Sequence, residues 1–162
     1  MSTYSRQNER HKRFAVVDVP QLRWPATLQV PAKRFRLLVA ADTNLLPDEV
    51  ISEFAEAALS AEMVYLCAWG NGCSRFHDIV DKVLVKDDLG ERRFSGPDSD
   101  DVIMTTWHDD EPFEETLDYL ACCAVPTDGF VEESNFRLVI TVAHPEWAAQ
   151  ARQFLTSASS IV

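Results

Sequence analysis

Four apolar runs, each followed by a short polar loop and then an amphipathic helical pattern, constrain this chain more than any other feature. The runs occupy residues 37–41, 64–69, 102–107 and 138–143. They are continuous rather than alternating and rich in Val, Ile and Leu, which predicts parallel strands buried on both faces. Three of the four helical patterns open with a proline, Pro47, Pro112 and Pro145, a residue at home in the first turn.

The helical stripes agree with this reading. Ile51, Phe54, Ala55, Ala58 and Glu62 share one side of the first helix, and Phe76, Ile79, Val80, Val83 and Leu84 recur at helical spacing in the second. Phe113, Leu117, Leu120, Ala121 and Ala124 mark the third, and Trp147, Ala151, Phe154 and Leu155 the fourth. Strands alternating with helices and joined by right-handed crossovers make a three-layer, Rossmann-like or flavodoxin-like α/β fold, an open parallel sheet of about four strands with helices on both faces. The expected order of the four strands is 2-1-3-4. Residues 35–162 form this single domain. Residues 14–34, interrupted by Pro20, Pro25 and Pro31, read as an extended arm packing on it, with an edge strand expected near residues 27–30. Residues 1–13 read as a flexible basic N-terminus.

Charge narrows the function classes. The net charge is -11, but residues 1–36 carry eight Lys or Arg against Glu9 and Asp18, a surplus of +6, while residues 37–162 carry seven against 24 acids, a deficit of -17. The acidic body repels phosphates, so nucleic-acid binding by it is disfavoured and a basic protein partner is the natural complement. No apolar run reaches the roughly 18 residues that span a bilayer, and no signal-peptide pattern opens the chain, so no membrane association and a cytoplasmic setting are expected. Cys67, Cys73, Cys122 and Cys123 include no C-x-x-C pair, and a disulfide framework is not expected.

In sheets of this kind ligands bind beyond the carboxyl ends of the strands, which directs attention to the loops there. The loop Trp69-Gly70-Asn71-Gly72-Cys73 has glycines that permit positive φ and close backbone approach, ahead of a helix N-terminus. It matches neither the dinucleotide fingerprint nor the P-loop, and a tight strand-to-helix turn explains it equally. Cys73, in the first helical turn, is a candidate nucleophile with His108 as base and Asp109 beside it; the competing reading is a small core residue on the Phe76 stripe. His77, four residues after Cys73, permits joint metal ligation with His108 or Asp109, but no fourth ligand is evident and no metal is assigned. Asp78 and Asp81 read as solvated. Asp109, Asp110 and Glu111 before and after the strand end suit helix capping, as His144 before Pro145 suits an N-cap and Asp42 a turn.

Trp69-Gly70-x-x-Cys73-x-x-x-His77-Asp78, Thr105-Thr106-Trp107-His108-Asp109-Asp110 and Pro145-Glu146-Trp147 together resemble an uncharacterised family of bacterial single-domain α/β proteins, a domain of unknown function, over about residues 35–155. The resemblance implies a Rossmann-like fold and a bacterial cytoplasm and supplies no activity or cofactor. Two readings of function follow. One is a binding or protein-interaction module that takes a basic partner or a small-molecule ligand, with Trp69, Gly70, Asn71, Gly72, His77, Trp107 and Asp42 lining the ligand rim. The other is a small hydrolase or transferase with Cys73 as nucleophile and His108 as base, with a metal-assisted variant.

Overall fold

A computed structural model describes residues 13–90, 94 and 101–160. The basic head at residues 1–12, and most of the connection expected between the second helix and third apolar run, lie outside the described residues. Among those described, the chain runs through β1 (Arg13–Val19), β2 (Phe35–Ala40), α1 (Asp48–Ser60), β3 (Met63–Trp69) and α2 (Cys73–Asp88). It continues through β4 (Met104–His108), α3 (Phe113–Cys122), the one-turn α4 (Asp128–Val131), β5 (Phe136–Val142) and α5 (Pro145–Ser160). All pairings are parallel, in the order β1-β5-β2-β3-β4. The three-layer α/β architecture expected from the apolar runs is therefore present, with five strands rather than four.

The strand order corrects the expected 2-1-3-4, and the helices supply the reason. α1 and α2 both pack on one face, where Ile51, Phe54, Phe76 and Val80 meet Leu37, Val39, Leu66 and Ile140. Two right-handed crossovers on the same face carry the chain outward in one direction, from β2 to β3 to β4. α3 then crosses on the opposite face and reverses that direction, setting β5 on the other side of β2. There Leu117, Leu120, Ala151 and Leu155 from α3 and α5 cover Leu38, Ala40, Cys67 and Val139. The reversal follows the third crossover, not the first.

Two further departures come from the chain's first segment and from the ends of elements. The segment read as an arm contributes β1, which pairs with β5 in unbroken register from Arg13↔Phe136 to Val19↔Val142. Residues 27–30, expected as an edge strand, form none. Glu62 is not on the α1 stripe; it follows the helix with φ of 80°, and Leu59 takes the buried place. β4 was expected to be buried on both faces, yet it is one of the two edge strands of the sheet, with Met104 and Trp107 exposed.

The amino rim of the sheet holds two buried cations side by side. Arg36 and Arg137 pair in register; burial lowers them from the usual 12.5 to about 10 and about 9 respectively, with the charge of Arg36 adding to the effect on Arg137. Among the described residues neither pairs with a carboxylate. Arg36 donates to the Ala124 carbonyl at 3.0 Å and Arg137 to the Leu120 carbonyl at 3.0 Å, at the negative end of α3. Other cations on this rim do find acids, since Lys33 and Arg34 both bond Glu133.

Candidate functional site

Parallel strands gather every strand-to-helix loop on one rim, so Asp42, Trp69 to Cys73, His108 with Asp109, and His144 share the carboxyl side of the sheet. What each can do depends on its neighbours there.

The glycine loop is closed by the loop beside it. Thr43, buried, donates its backbone N–H to the Asn71 carbonyl at 2.9 Å and its hydroxyl to the Gly72 carbonyl at 3.0 Å. Ala41 donates to the Trp69 carbonyl at 3.1 Å. Gly70 has φ of 109°, and a Cβ there would run into the Ala41 carbonyl oxygen; Gly72 has φ of 81°, and its Cβ would lie 2.8 Å from Thr43 Oγ1 and 2.7 Å from Asn44 Oδ1. The close approach for which these glycines are needed is to residues 41–44 of the same chain. Arg75 completes the staple by donating to the carbonyls of Thr43 and Leu46 and to Asp48. Asp42 is exposed and accepts the Asn44 backbone N–H at 3.2 Å, a turn-forming contact. Gly72 is the N-cap of α2, and neither Asn71 nor Ser74 caps it through a side chain.

Cys73 follows directly and is 3% exposed. Burial pushes its thiol up; the backbone N–H of His108 pulls in the other direction and the charge of Asp109 pushes it further up. A thiolate there is disfavoured despite the helix N-terminus. Asp109, expected beside a catalytic pair, thus acts against the anion.

His108 and His77 lie on opposite faces of the sheet, because residues alternate along β4. On the α3 side, the His108 ring is 6% exposed and lies 4.7 Å from that of Tyr119, centroid to centroid. Its Nδ1 is 3.0 Å from Glu111 Oε2 and its Nε2 is 3.0 Å from Thr106 Oγ1. A carboxylate only accepts, so Nδ1 donates to Glu111, while Nε2 shares a hydrogen bond with the Thr106 hydroxyl. Thr116 also donates to Glu111 at 3.3 Å. The order carboxylate, imidazole, hydroxyl is that of a proton relay, but the hydroxyl faces inward and donates to the Leu66 carbonyl at 3.4 Å, beside the Cys67 and Tyr65 side chains. Tyr65 and Tyr119 share a 2.6 Å hydrogen bond. Burial pushes the Cys67 thiol from 9.0 to about 12 and the Tyr65 phenol well above its usual range, with the Tyr119 bond adding to the latter. This is a buried polar cluster whose members satisfy one another.

On the α2 side, Trp107 is half-exposed and its ring meets that of His77 at 4.5 Å. His77 Nδ1 is 3.1 Å from Asp78 and Nε2 is 3.4 Å from Asp81, while Asp81 accepts the Thr105 hydroxyl at 2.6 Å. Asp78 and Asp81, expected to be merely solvated, bracket the imidazole, because helical spacing sets both beside it. Among the described residues, no group of three or more His, Cys, Asp or Glu is placed to hold a metal ion.

The fourth loop supports an aromatic cap. His144 Nδ1 accepts the Trp147 backbone N–H at 3.2 Å, as an N-cap does, and its ring stacks on Trp147 at 3.6 Å. Trp69 meets Phe113 at 4.6 Å and Trp147 at 4.9 Å, and its indole N–H donates to the Glu111 carbonyl at 2.8 Å. With the observed strand order, the topological switch lies between β2 and β5 rather than at the glycine loop; these rings fill the space between the starts of α3 and α5.

The candidates therefore divide into separate neighbourhoods instead of one constellation. Thr43, Thr106, Glu111 and Tyr119 were not singled out from sequence as partners. Two spacings carried the signal: Thr106 and His108 are two apart on a strand, and His108 and Glu111 are three apart across a turn.

The family described as Domain of unknown function (DUF7684) matches residues 17–158, and the chain belongs to it. No curated protein and no solved structure matches the chain.

Gly70→Ala is expected to destabilise the fold by about 1–3 kcal/mol in denaturant unfolding, whereas Asn71→Ala, which keeps the carbonyl that Thr43 uses, stays within about 0.5 kcal/mol. Cys67 gives a pH test. Its pKa is raised in the fold, so its contribution is complete below pH 9.0 and is lost as pH rises through about 12. Cys67→Ala lacks that loss. Its deficit in melting temperature relative to the parent protein should shrink between about pH 8 and about pH 11.

Proposed function

We propose that this protein is a non-catalytic binding module that takes a basic protein partner on its carboxyl rim. One observation carries the reading: the reactive groups of the rim are inward and occupied, while its outward groups are carboxylates that pair with no cation among the described residues. Asp42, Glu49, Asp109, Asp110, Glu114, Glu115 and Glu146 are exposed, and none is ion-paired with a described residue. Of the acids in these loops and first turns, Asp48 pairs with Arg75 and Glu111 with His108. The acids of the amino rim differ, since Glu133 engages Lys33 and Arg34, and Glu62 engages Arg34.

Such a field attracts cations over distances of about a Debye length, near 8 Å at physiological salt, and repels nucleic-acid phosphates. The enzyme reading draws less support. Cys73 is buried with its thiol pushed up, and both ring nitrogens of His108 are bonded within the protein. No helix among the described residues is long and apolar enough to cross a membrane. A bacterial cytoplasm is the setting we propose, in keeping with free thiols at Cys67, Cys73, Cys122 and Cys123.

The test is the binding of a fluorescent lysine-rich peptide to the full chain, followed by anisotropy across a salt series. Asp109→Asn with Asp110→Asn should weaken binding about tenfold at low salt and flatten its salt dependence, while the control pair Glu53→Gln with Glu56→Gln, exposed along α1, should change it far less. Equal losses from both pairs, or binding indifferent to salt, would contradict the reading.

A further inference from the structure

Two guanidinium groups stand side by side at the amino rim, and the sheet gives them no counter-charge. Strand pairing sets Phe14, Arg137, Arg36 and Tyr65 in one row across β1, β5, β2 and β3. The cations are therefore bracketed by a phenyl ring and by a phenol that burial holds in its protonated form. Arg36 is 5% exposed and Arg137 3%. Their hydrogen bonds go to neutral acceptors. Arg137 gives Nε to the Leu120 carbonyl and Nη1 to the Asn135 carbonyl and side-chain oxygen; Arg36 gives Nη1 to the Ala124 carbonyl and Nε to the Ser134 hydroxyl at 3.5 Å. The C-terminal end of α3 supplies the equivalent of about half a negative charge, against two positive ones. Nη2 of each guanidinium bonds to no described residue, and a buried charge lacking its opposite is unfavourable.

We infer that Arg36 and Arg137 form an anion site at the amino rim that takes a phosphate group, inorganic or as a monoester, on their two Nη2 donors. Charge favours phosphate over a carboxylate. A phosphate carries about -1.5 to -2 near pH 7, which together with the half charge of the α3 terminus balances the two guanidinium groups; a carboxylate leaves a positive remainder. Donor geometry agrees, because a carboxylate is matched by the fork of one arginine, whereas single donors from two neighbouring residues suit separate oxygens of one tetrahedral group. Position also permits it. Arg36 and Asp42 are six residues apart along β2 and its loop, about 20 Å at roughly 3.3 Å per residue. That exceeds twice the Debye length of about 8 Å at physiological salt, so the carboxyl rim that repels phosphates is screened from this one. The site is independent of the basic-partner reading, which concerns the opposite rim.

The experiment is calorimetric titration of the full chain with inorganic phosphate near neutral pH, against sodium chloride at equal ionic strength. Saturable binding at one site is expected, with a melting temperature that rises with phosphate and not with chloride. Arg36→Lys and Arg137→Lys keep the charge and lose the fork, so each should weaken phosphate binding about tenfold or more. Lys82→Gln, an exposed cation on α2, should leave it unchanged. O-phosphoserine as a second titrant separates the sources: tighter binding than inorganic phosphate assigns the site to a monoester, and weaker binding assigns it to the free ion. A parent protein that neither binds phosphate nor gains melting temperature from it beyond chloride overturns the inference, whatever the variants do. So does a folded Arg36→Lys or Arg137→Lys protein, judged by circular dichroism, that keeps the parent's affinity.

Discussion

Because all five strands run parallel, each of β2 to β5 hands the chain to its helix on the same side of the sheet, and the other features of the molecule follow from that. A helix N-terminus favours negative charge in its first turn, and here Asp48, Glu49, Glu114, Glu115 and Glu146 fill those turns. Each acid answers a local demand. Parallel topology adds the demands together on one rim, where loop acids join them, and a set of separate capping preferences becomes a directional field. The opposite rim receives the helix C-termini, and carbonyls at the end of α3 accept hydrogen bonds from the buried guanidinium groups of Arg36 and Arg137. Charge is thus separated along the strand direction.

Burial decides the chemistry of the groups beneath that rim. An imidazole in a desolvated site needs partners for both nitrogens, and His108 has them in Glu111 and Thr106. A thiol in such a site resists ionisation, so the helix dipole at Cys73 meets a larger opposing effect. The loops above are joined by backbone hydrogen bonds between Thr43 and Asn71 and leave the glycines pressed against a neighbouring segment. The result is a stiff upper surface whose exposed functionality is charge.

Much of this was legible in the amino-acid sequence, for physical reasons. Continuous apolar runs of Val, Ile and Leu report strands buried on both sides, and the stripes at Ile51 and Phe76 report the helices that cover them. The capping roles of Asp42 and His144 could be read because caps are local. Strand order could not, since β5 beside β2 depends on which face each crossover takes, a choice that no short window of residues encodes. Pairing of β1 with β5 links residues more than a hundred apart. The site suffered in the same way. Cys73, His77 and His108 fall on one rim by sequence, but alternation along β4 turns His108 toward α3 and Trp107 toward His77 on α2. The roles of Asp78 and Asp81 were missed because solvent exposure and a contact with an imidazole are compatible on the same helix.

Thiol reactivity tests the central claim, that the rim acts through its charge and not through a nucleophile. Brief iodoacetamide treatment of the native protein near neutral pH, read by peptide mass spectrometry, distinguishes the four cysteines. The account predicts that Cys122 and Cys123, both exposed, are modified while Cys67 and Cys73, both buried, label only after unfolding. Modification of Cys73 in the folded protein at a rate above that of the exposed pair would contradict it.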